Sequence, residues 1–553
     1  MAKTKAPKAK IMIAAVIVIA ACIYYYIALP AFNIHSPGTW RFLMMGFFLL
    51  ALIRFIRLSP GKAYRTGSGR VETTSFDFKL IKNDKFLRVT VFGFAGLLVI
   101  FIIGSILSSP IINAAKYQQL LKVETGEFSQ DIHQITYTQI PSLDRNSAAI
   151  LGSRKMGSLV DLTSQFVVAE DYSQINYQGK PVRVTPLNYA SAIKWFTNQK
   201  NGVPGYIMID MTSQDTELIR LPEGMKYSPY DHFGRNLLRH LRFQYPTYIF
   251  DDMSFEINDE GTPYWVCSVA KYNIGLFGGK TIGRVILCNA ITGECEDYAV
   301  EEAPSWIDRA YSAELLIELY DYYGTLKHGF INSVLGQRDC LQTTNGYNYL
   351  ALNDDVWVYT GVTSITSDQS NVGFVLMNQR TMETKYYQIE GAIEDSAMAS
   401  AEGQVQHLNY RATFPLLLNI SEEPTYFIAL KDAAGLVKKY AMVNVQKYQV
   451  VAIGDSISEC EKNYIALMRA SGIETGESTT GEKVTGRIEK LVAGVIDGNT
   501  NYYVMLRGDA KIYVVSLAEH LNILRFEEGG SITLQYMVED EEAGICRVTA
   551  LSK

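Results

Sequence analysis

Apolar residues are spread unevenly along this chain of 553 residues. Three near-continuous apolar runs come first, at residues 11–29, 39–56 and 89–107. As a helix, each is long enough to cross a hydrocarbon layer about 30 Å thick. Beyond residue 107 the pattern changes. Short apolar runs alternate with polar turns, which predicts strands, and a few stretches of helical spacing lie between them.

The strand-like runs recur in groups. Residues 166–187 are strand-like, "NYASAIKWFTNQ" reads as a helix, and "PGYIMIDMTSQDTELIRL" is two runs around a polar turn. "PYWVCSVAKY" and "RVILCNAITGECEDY" repeat the arrangement, and a helix is expected over 305–323. Ser305 is placed as its cap, with Asp308 three residues on. "VGFVLMNQRTMETKYYQI" is a further strand, N-x-x-T turn and strand, followed by the helix "EDSAMASAEGQVQ". "PTYFIALKDAAGLVKKYAMVNVQKYQVVAIG" holds three more runs before a helix starting at "SISECEKNYIALMRA", where Ser456 and Glu459 form a capping box. A strand-strand-strand-helix unit therefore recurs, with openings at Pro204, Pro263 and Pro424. One helix on an antiparallel sheet is a stable α+β layer. After the Gly/Ser/Thr-rich stretch at 472–482, five strand-like runs follow, with a short helix "LAEHLNIL" between the third and fourth.

The fold class expected is α+β. Residues 1–10 are a basic cytoplasmic N-terminus and 11–107 a three-helix membrane anchor with a basic loop at 57–88. Residues 108–165 are a membrane-proximal connector. Modules fill 166–340 and 341–471, a linker spans 472–482, and a β-barrel occupies 483–553.

Charge sets the orientation. Lys3, Lys5, Lys8 and Lys10 precede the first run. Arg57, Lys62, Arg65, Arg70, Lys79, Lys82, Lys85 and Arg88 lie between the second and third, whereas residues 30–38 contain no Lys or Arg. Basic loops stay cytoplasmic, so residues from about 108 to 553 are expected outside the cell membrane. The net charge of −6 gives no drive toward nucleic acid.

Two resemblances add to this reading. "PYWVCSVA…GRVILCNAITGECEDY" and "PTYFIALKDAAGLVKKYAMVNVQKYQVV" resemble PepSY-type modules, with Asn289 where the module usually has Asp. The resemblance implies extracytoplasmic modules that bind or restrain other proteins, often peptidases, and it transfers no catalytic residue. The five C-terminal runs resemble an OB-type barrel. That implies either single-stranded nucleic acid, bound through a basic groove and stacked aromatics, or a protein or peptide. Acidic residues slightly outnumber basic ones from Lys483 onward, and Tyr502, Tyr503 and Tyr513 are ordinary strand residues. A protein or peptide partner is favoured.

Candidate chemistry is sparse. GLFGGKT ends like a phosphate-binding loop, but Ile274 stands where the first glycine is required, and a strand-like run follows Thr281. It reads as a hairpin loop of Gly278, Gly279 and a solvated Lys280. "VVAIGDSIS" resembles the start of GDSL-type esterases, with Ser456 as nucleophile. The downstream histidine, His520, has Leu517 where the D-x-x-H pattern needs aspartate. Ser456 as a helix cap is the simpler reading. "DHFGRNLLRHLR" places His232, Arg235, Arg239 and Arg242 on a basic amphipathic helix, suited to lipid headgroups, an acidic partner or plain packing. "NDEG" and "NDD" read as turns. Cys288 and Cys295 flank "NAITGE" and should be close across a hairpin, either as a disulfide or as small apolar residues. No catalytic, cofactor-binding or metal-binding residue is assigned. The expectation is a membrane-anchored extracytoplasmic protein that binds or scaffolds envelope proteins or peptides. The alternatives are an accessory subunit of an envelope transport or secretion complex, or an envelope serine hydrolase using Ser456.

Overall fold

A computed structural model describes residues 7–58, 81, 83–132, 140–141, 143–365, 367–473, 482–496, 499–517, 520–540 and 544–552. The first six residues, most of the basic loop expected at 57–88 and most of the linker at 472–482 lie outside the described residues. The chain forms two compact units. One comprises Met1–Asn419 and Pro424–Leu467, and the other Ile420–Glu423 and Met468–Lys553.

The first unit begins with helices α1 (Pro7–Ala28), α2 (Pro37–Leu58) and α3 (Lys85–Leu107). Three spans were expected. Among the described residues, one helix, α3, is long and apolar enough to cross a membrane. Within α1 the apolar helical stretch Val18–Ala28 is shorter. Helix α2 carries Arg41, Arg54 and Arg57, and guanidinium groups are costly in hydrocarbon. Arg54 is neutralised locally: its Nε and Nη2 donate to Asp84, whose Oδ1 also caps α3 by accepting from the Leu87 N–H at 2.7 Å. Large apolar side chains on all three helices face outward, Ile23, Phe48, Ile53, Val99 and Ile103 among them. A short helix, α4 (Pro110–Gln118), continues from α3.

Four antiparallel meanders of four strands follow, each succeeded by a helix. The first is β1 (Ser173–Tyr177), β2 (Lys180–Tyr189), β3 (Val203–Asp210) and β4 (Thr216–Met225), then α5 (Leu237–Gln244). The second is β5 (Phe250–Ile257), β6 (Pro263–Ile274), β7 (Gly278–Asn289) and β8 (Cys295–Ala299), then α6 (Ala313–Thr325). The third is β9 (Asn348–Leu352), β10 (Asp355–Ser364), β11 (Ser367–Asn378) and β12 (Thr384–Tyr387), then α7 (Glu394–Gln404). The fourth is β13 (Leu416–Ile420), β14 (Glu423–Lys431), β15 (Val437–Asn444) and β16 (Val451–Gly454), then α8 (Ile457–Ala470). Central strands such as β10 and β14 are buried on both faces, which explains their unbroken apolar runs.

The same turn joins the third and fourth strands of every meander. Its first side chain, Asp210, Asn289, Asn378 or Asn444, accepts from the two N–H groups two and three residues on. The next residue donates its own N–H to a carbonyl at the start of the second strand. These pairs are Met211 to Pro181, Ala290 to Pro263, Gln379 to Val356 and Val445 to Pro424. Its carbonyl in turn holds the preceding repeat. Ala290 O accepts from the N–H of Lys226 and Tyr227, Gln379 O from those of Ala310 and Tyr311, and Val445 O from that of Ala392. One backbone unit therefore closes each sheet and links it to its neighbour.

Some expected markers move. The equivalent positions are Pro181, Pro263, Val356 and Pro424, each the first or second residue of its second strand, whereas Pro204 lies inside β3. The inserted helix Ala192–Asn198 between β2 and β3 displaced the register legible in sequence. Ser305 caps nothing: α6 starts eight residues later, where the Ser312 side chain accepts from the Leu315 N–H at 3.3 Å. Asp308 is buried instead, and accepts from the Asn176 N–H of the first repeat at 2.7 Å.

The second unit contains a closed barrel of β17 (Glu482–Ile496), β18 (Asn499–Leu506), β19 (Ile512–Ser516), β20 (Ser531–Asp540) and β21 (Ile545–Ser552), in the order β17-β18-β19-β21-β20. β17 pairs with β20 through its first half and with β18 through its second, and a bulge near Ile488 bends it between the two. The core includes Ile488, Val504, Tyr513, Val515, Leu534 and Val548. The molecule is thus mixed α+β, with sheets that are antiparallel apart from the parallel edge strand Val123–Thr125 beside β12, and with a C-terminal five-stranded barrel.

Candidate functional site

The turn Asn289–Glu294 determines the placement of two cysteines. Asn289 Oδ1 accepts from the N–H groups of Ile291 and Thr292 at 2.9 and 3.0 Å, and Gly293 adopts φ +78°. A Cβ at Gly293 would lie 2.5 Å from the Tyr227 ring, so glycine is needed for space as well as for conformation. The Asn289 N–H donates to Glu294 O at 2.9 Å. The next pair inward, Cys288 and Cys295, is therefore a non-hydrogen-bonded pair, whose Cα atoms approach to about 4.5 Å. Both thiols are free.

Helix α5 brings a third group. Leu237 and Leu241 bury one side of it in the core shared by the first two repeats. Asn236 caps it by accepting from the Arg239 N–H. His240 then lies beside the turn, its Nε2 2.7 Å from Gly293 O and its ring 4.5 Å from that of Tyr227. Gln244, one helical turn on, reaches His240 Nε2 at 2.8 Å. The Cys288 and Cys295 sulfurs and a His240 ring nitrogen all lie within 4.8 Å of one another.

The cluster is electrostatically asymmetric. Cys295 is lowered to about 6, chiefly by hydrogen bonding with the Cys288 thiol and then by His240, against the opposing effect of burial. His240 is raised, first by its bond with Cys295. Cys288 is raised, because it faces the Cys295 sulfur and is buried. Cys267, fully buried on the same sheet face, is raised by desolvation. A thiolate beside a thiol and an imidazole is the arrangement of a nucleophilic or redox cysteine, and Cys₂His is also a zinc donor set. Sequence reasoning placed the two cysteines together. It missed His240, which is distant in the chain and arrives only through the packing of α5.

The other candidate motifs have structural partners. In GLFGGKT, β7 already begins at Gly278 and the loop is Gly275–Phe277. Its tip meets the helices: Ser108 Oγ accepts from the Leu276 and Phe277 N–H groups at 2.8 and 3.1 Å, and the Phe277 ring lies 5.0 Å from Phe101. Lys280 is not fully solvated, since it pairs with Asp251 at 2.8 Å on the strand. Ser456 Oγ accepts from the Glu459 N–H at 3.2 Å, while the Glu459 carboxylate reaches the Asp455 N–H. The expected basic helix is a 3₁₀ turn, Phe233–Arg235, followed by α5. Arg242 is buried and donates to Leu29 O beyond the end of α1, and Arg239 lies over the Tyr26 ring. Asn353 and Asp354 of "NDD", both at positive φ, make the turn between β9 and β10. Asn258 of "NDEG" closes the loop between β5 and β6. A polar cleft of 810 Å³, lined by His35, Lys271, Tyr272, Arg284 and Glu301 among others, opens beside β6 and β7.

No protein-family model matches the chain, and no curated protein matches it. Solved structures that match include a polysaccharide lyase, Uly1, at 8% identity, covering 62% of this chain and 74% of its own, with a TM-score of 0.13; a likeness of this size carries no argument about fold or activity.

Proposed function

We propose that the protein is a membrane-anchored extracytoplasmic scaffold, which presents its α+β repeats and terminal barrel to envelope proteins or peptides. The observation that carries this reading is the outward-facing apolar surface of α1–α3 together with the docking of repeat loops onto those helices. Leu276 and Phe277 pack at α3, and Arg242 and Pro246 meet the chain just beyond α1. A flexible tether would need none of these contacts; a platform held at a fixed angle does. Under this reading α2 crosses with Arg54 paired to Asp84 at the cytoplasmic end, and the three helices form one anchor. The basic residues before α1 and after α2 favour a cytoplasmic N-terminus and an external C-terminal region. The repeats act as PepSY-like binding modules. The barrel is of OB type, a reading supported by its strand order, its parallel β19–β21 pair and the 3₁₀ turn Leu521–Arg525 before β20.

Protease added to intact cells is the test. It is expected to remove the barrel and repeats and to spare the basic loop before α3. Cleavage in that loop while the cells remain sealed, or release of the chain by alkaline carbonate, would overturn the proposal.

A further inference from the structure

We propose that Cys288 and Cys295 are a thiol–disulfide exchange site, with His240 positioning and stabilising the attacking sulfur of Cys295. The inference rests on register and packing. The two residues face each other in a non-hydrogen-bonded pair of antiparallel strands, a spacing within the range a disulfide spans. Cys288 is wholly buried and Cys295 partly exposed, so an external reagent meets Cys295 first. The lowered thiol of Cys295 supports the same order of events.

The Cys295 thiolate attacks one sulfur of an external disulfide, R–S–S–R′. A Cys295–S–S–R bond forms and R′–S⁻ leaves. The charge that held the Cys288 proton in place is then gone, so that proton passes to R′–S⁻. The Cys288 thiolate attacks Cys295 Sγ and expels R–S⁻, which takes up a proton from solvent. The net change is one disulfide reduced to two thiols and the Cys288–Cys295 pair oxidised by two electrons. The new bond spans the turn whose Ala290 carbonyl holds Lys226 and Tyr227 of the preceding repeat. Oxidation therefore staples the turn that carries this link.

The full chain, purified in detergent, is incubated with oxidised glutathione and digested with trypsin. Both cysteines fall in one peptide, residues 285–309, which contains no internal Lys or Arg. That peptide should lose the mass of two hydrogens, reversibly with reduced glutathione. Cys288→Ser should trap a glutathione adduct on Cys295, and Cys295→Ser should trap none. Iodoacetamide labelling of Cys295 should be half-maximal near pH 6 in the wild type. In His240→Gln the midpoint should move upward, a change that mere loss of packing would not produce. Absence of both the disulfide and the trapped adduct in folded protein would overturn the proposal. So would stoichiometric zinc that requires all three residues and blocks oxidation, which would make this a metal site instead.

Discussion

Asn289 shows how much one side chain does in this fold. Its carbonyl oxygen holds two turn N–H groups, and the turn then sets the Cys288–Cys295 register and the hook for the preceding repeat. Asn289→Ala removes that acceptor and should destabilise the protein by about 1 kcal/mol. Asn289→Asp should be nearly neutral, because Asp210 fills the same position in the first repeat. Thermal unfolding of the detergent-solubilised chain checks both, and an equal loss in the two variants would refute the acceptor role. Ser108 gives a second case. It is buried, and its hydroxyl is the acceptor for two N–H groups of the loop tip. Ser108→Ala leaves both without that acceptor and should cost about 1–3 kcal/mol by the same measurement. The turn residues were legible as N-x-x-T in two repeats. The versions beginning at Asp210 and Asn444 were not, because the side-chain geometry is shared while the letters that follow differ.

At the scale of elements, the β6–β7 hairpin is the instructive one. GLFGGKT does form a turn between two strands, but the work of its tip is to meet α3, with Phe277 against Phe101 and Trp40. Gly275, at φ +60°, would place a Cβ 2.4 Å from Ser108 Oγ. Gly275→Val should therefore lower the unfolding temperature clearly. Lys280→Ala removes only a partly exposed ion pair and should change stability by about 0–1 kcal/mol. A larger loss from the lysine than from the glycine would contradict this assignment. Helix starts divide the same way. Ser456 and Glu459 cap α8 as local pattern implies, with the carboxylate reaching Asp455 N–H rather than the serine's own. Ser305 had an equally good local pattern. It lost to Ser312 because the third repeat pins the chain just before α6, where Gln379 O accepts from the Ala310 and Tyr311 N–H groups, and Ser312 follows in extended geometry.

Across the whole molecule, the repeats are joined by buried polar groups as well as by backbone. Glu256 Oε2 accepts from the Asp308 N–H at 2.9 Å, Glu256 Oε1 accepts from Ser254, and Asp308 Oδ2 accepts from Asn176 of the first repeat. Burial raises both carboxyls above their ordinary range, and the neighbouring Glu256 raises Asp308 further, while the hydrogen bonds from Asp308 N–H and Ser254 and the charge of Arg309 oppose the rise of Glu256. A carboxyl raised on folding contributes stability that is full below the unfolded value of about 4 and is lost as pH rises through the folded value. This pair therefore contributes a fall in unfolding temperature as pH rises above about 4. Glu256→Gln should flatten that slope, as scanning calorimetry across pH would show, and an unchanged slope would remove the pair from the explanation.

The chain order and type of most elements, the apolar N-terminal helices, the recurrence of sheet and helix and the separate five-stranded barrel follow from local pattern. Apolar runs, turn residues and charge are short-range properties that the amino-acid order expresses directly. Tertiary structure alone decided three further matters. It added the first strands β5, β9 and β13, which are held by pairing with the strand that follows. It chose which serine caps α6. It also brought His240 beside Cys288 and Cys295. That juxtaposition depends on how α5 packs against the second sheet, and spacing along one chain has no term for contact between elements some fifty residues apart.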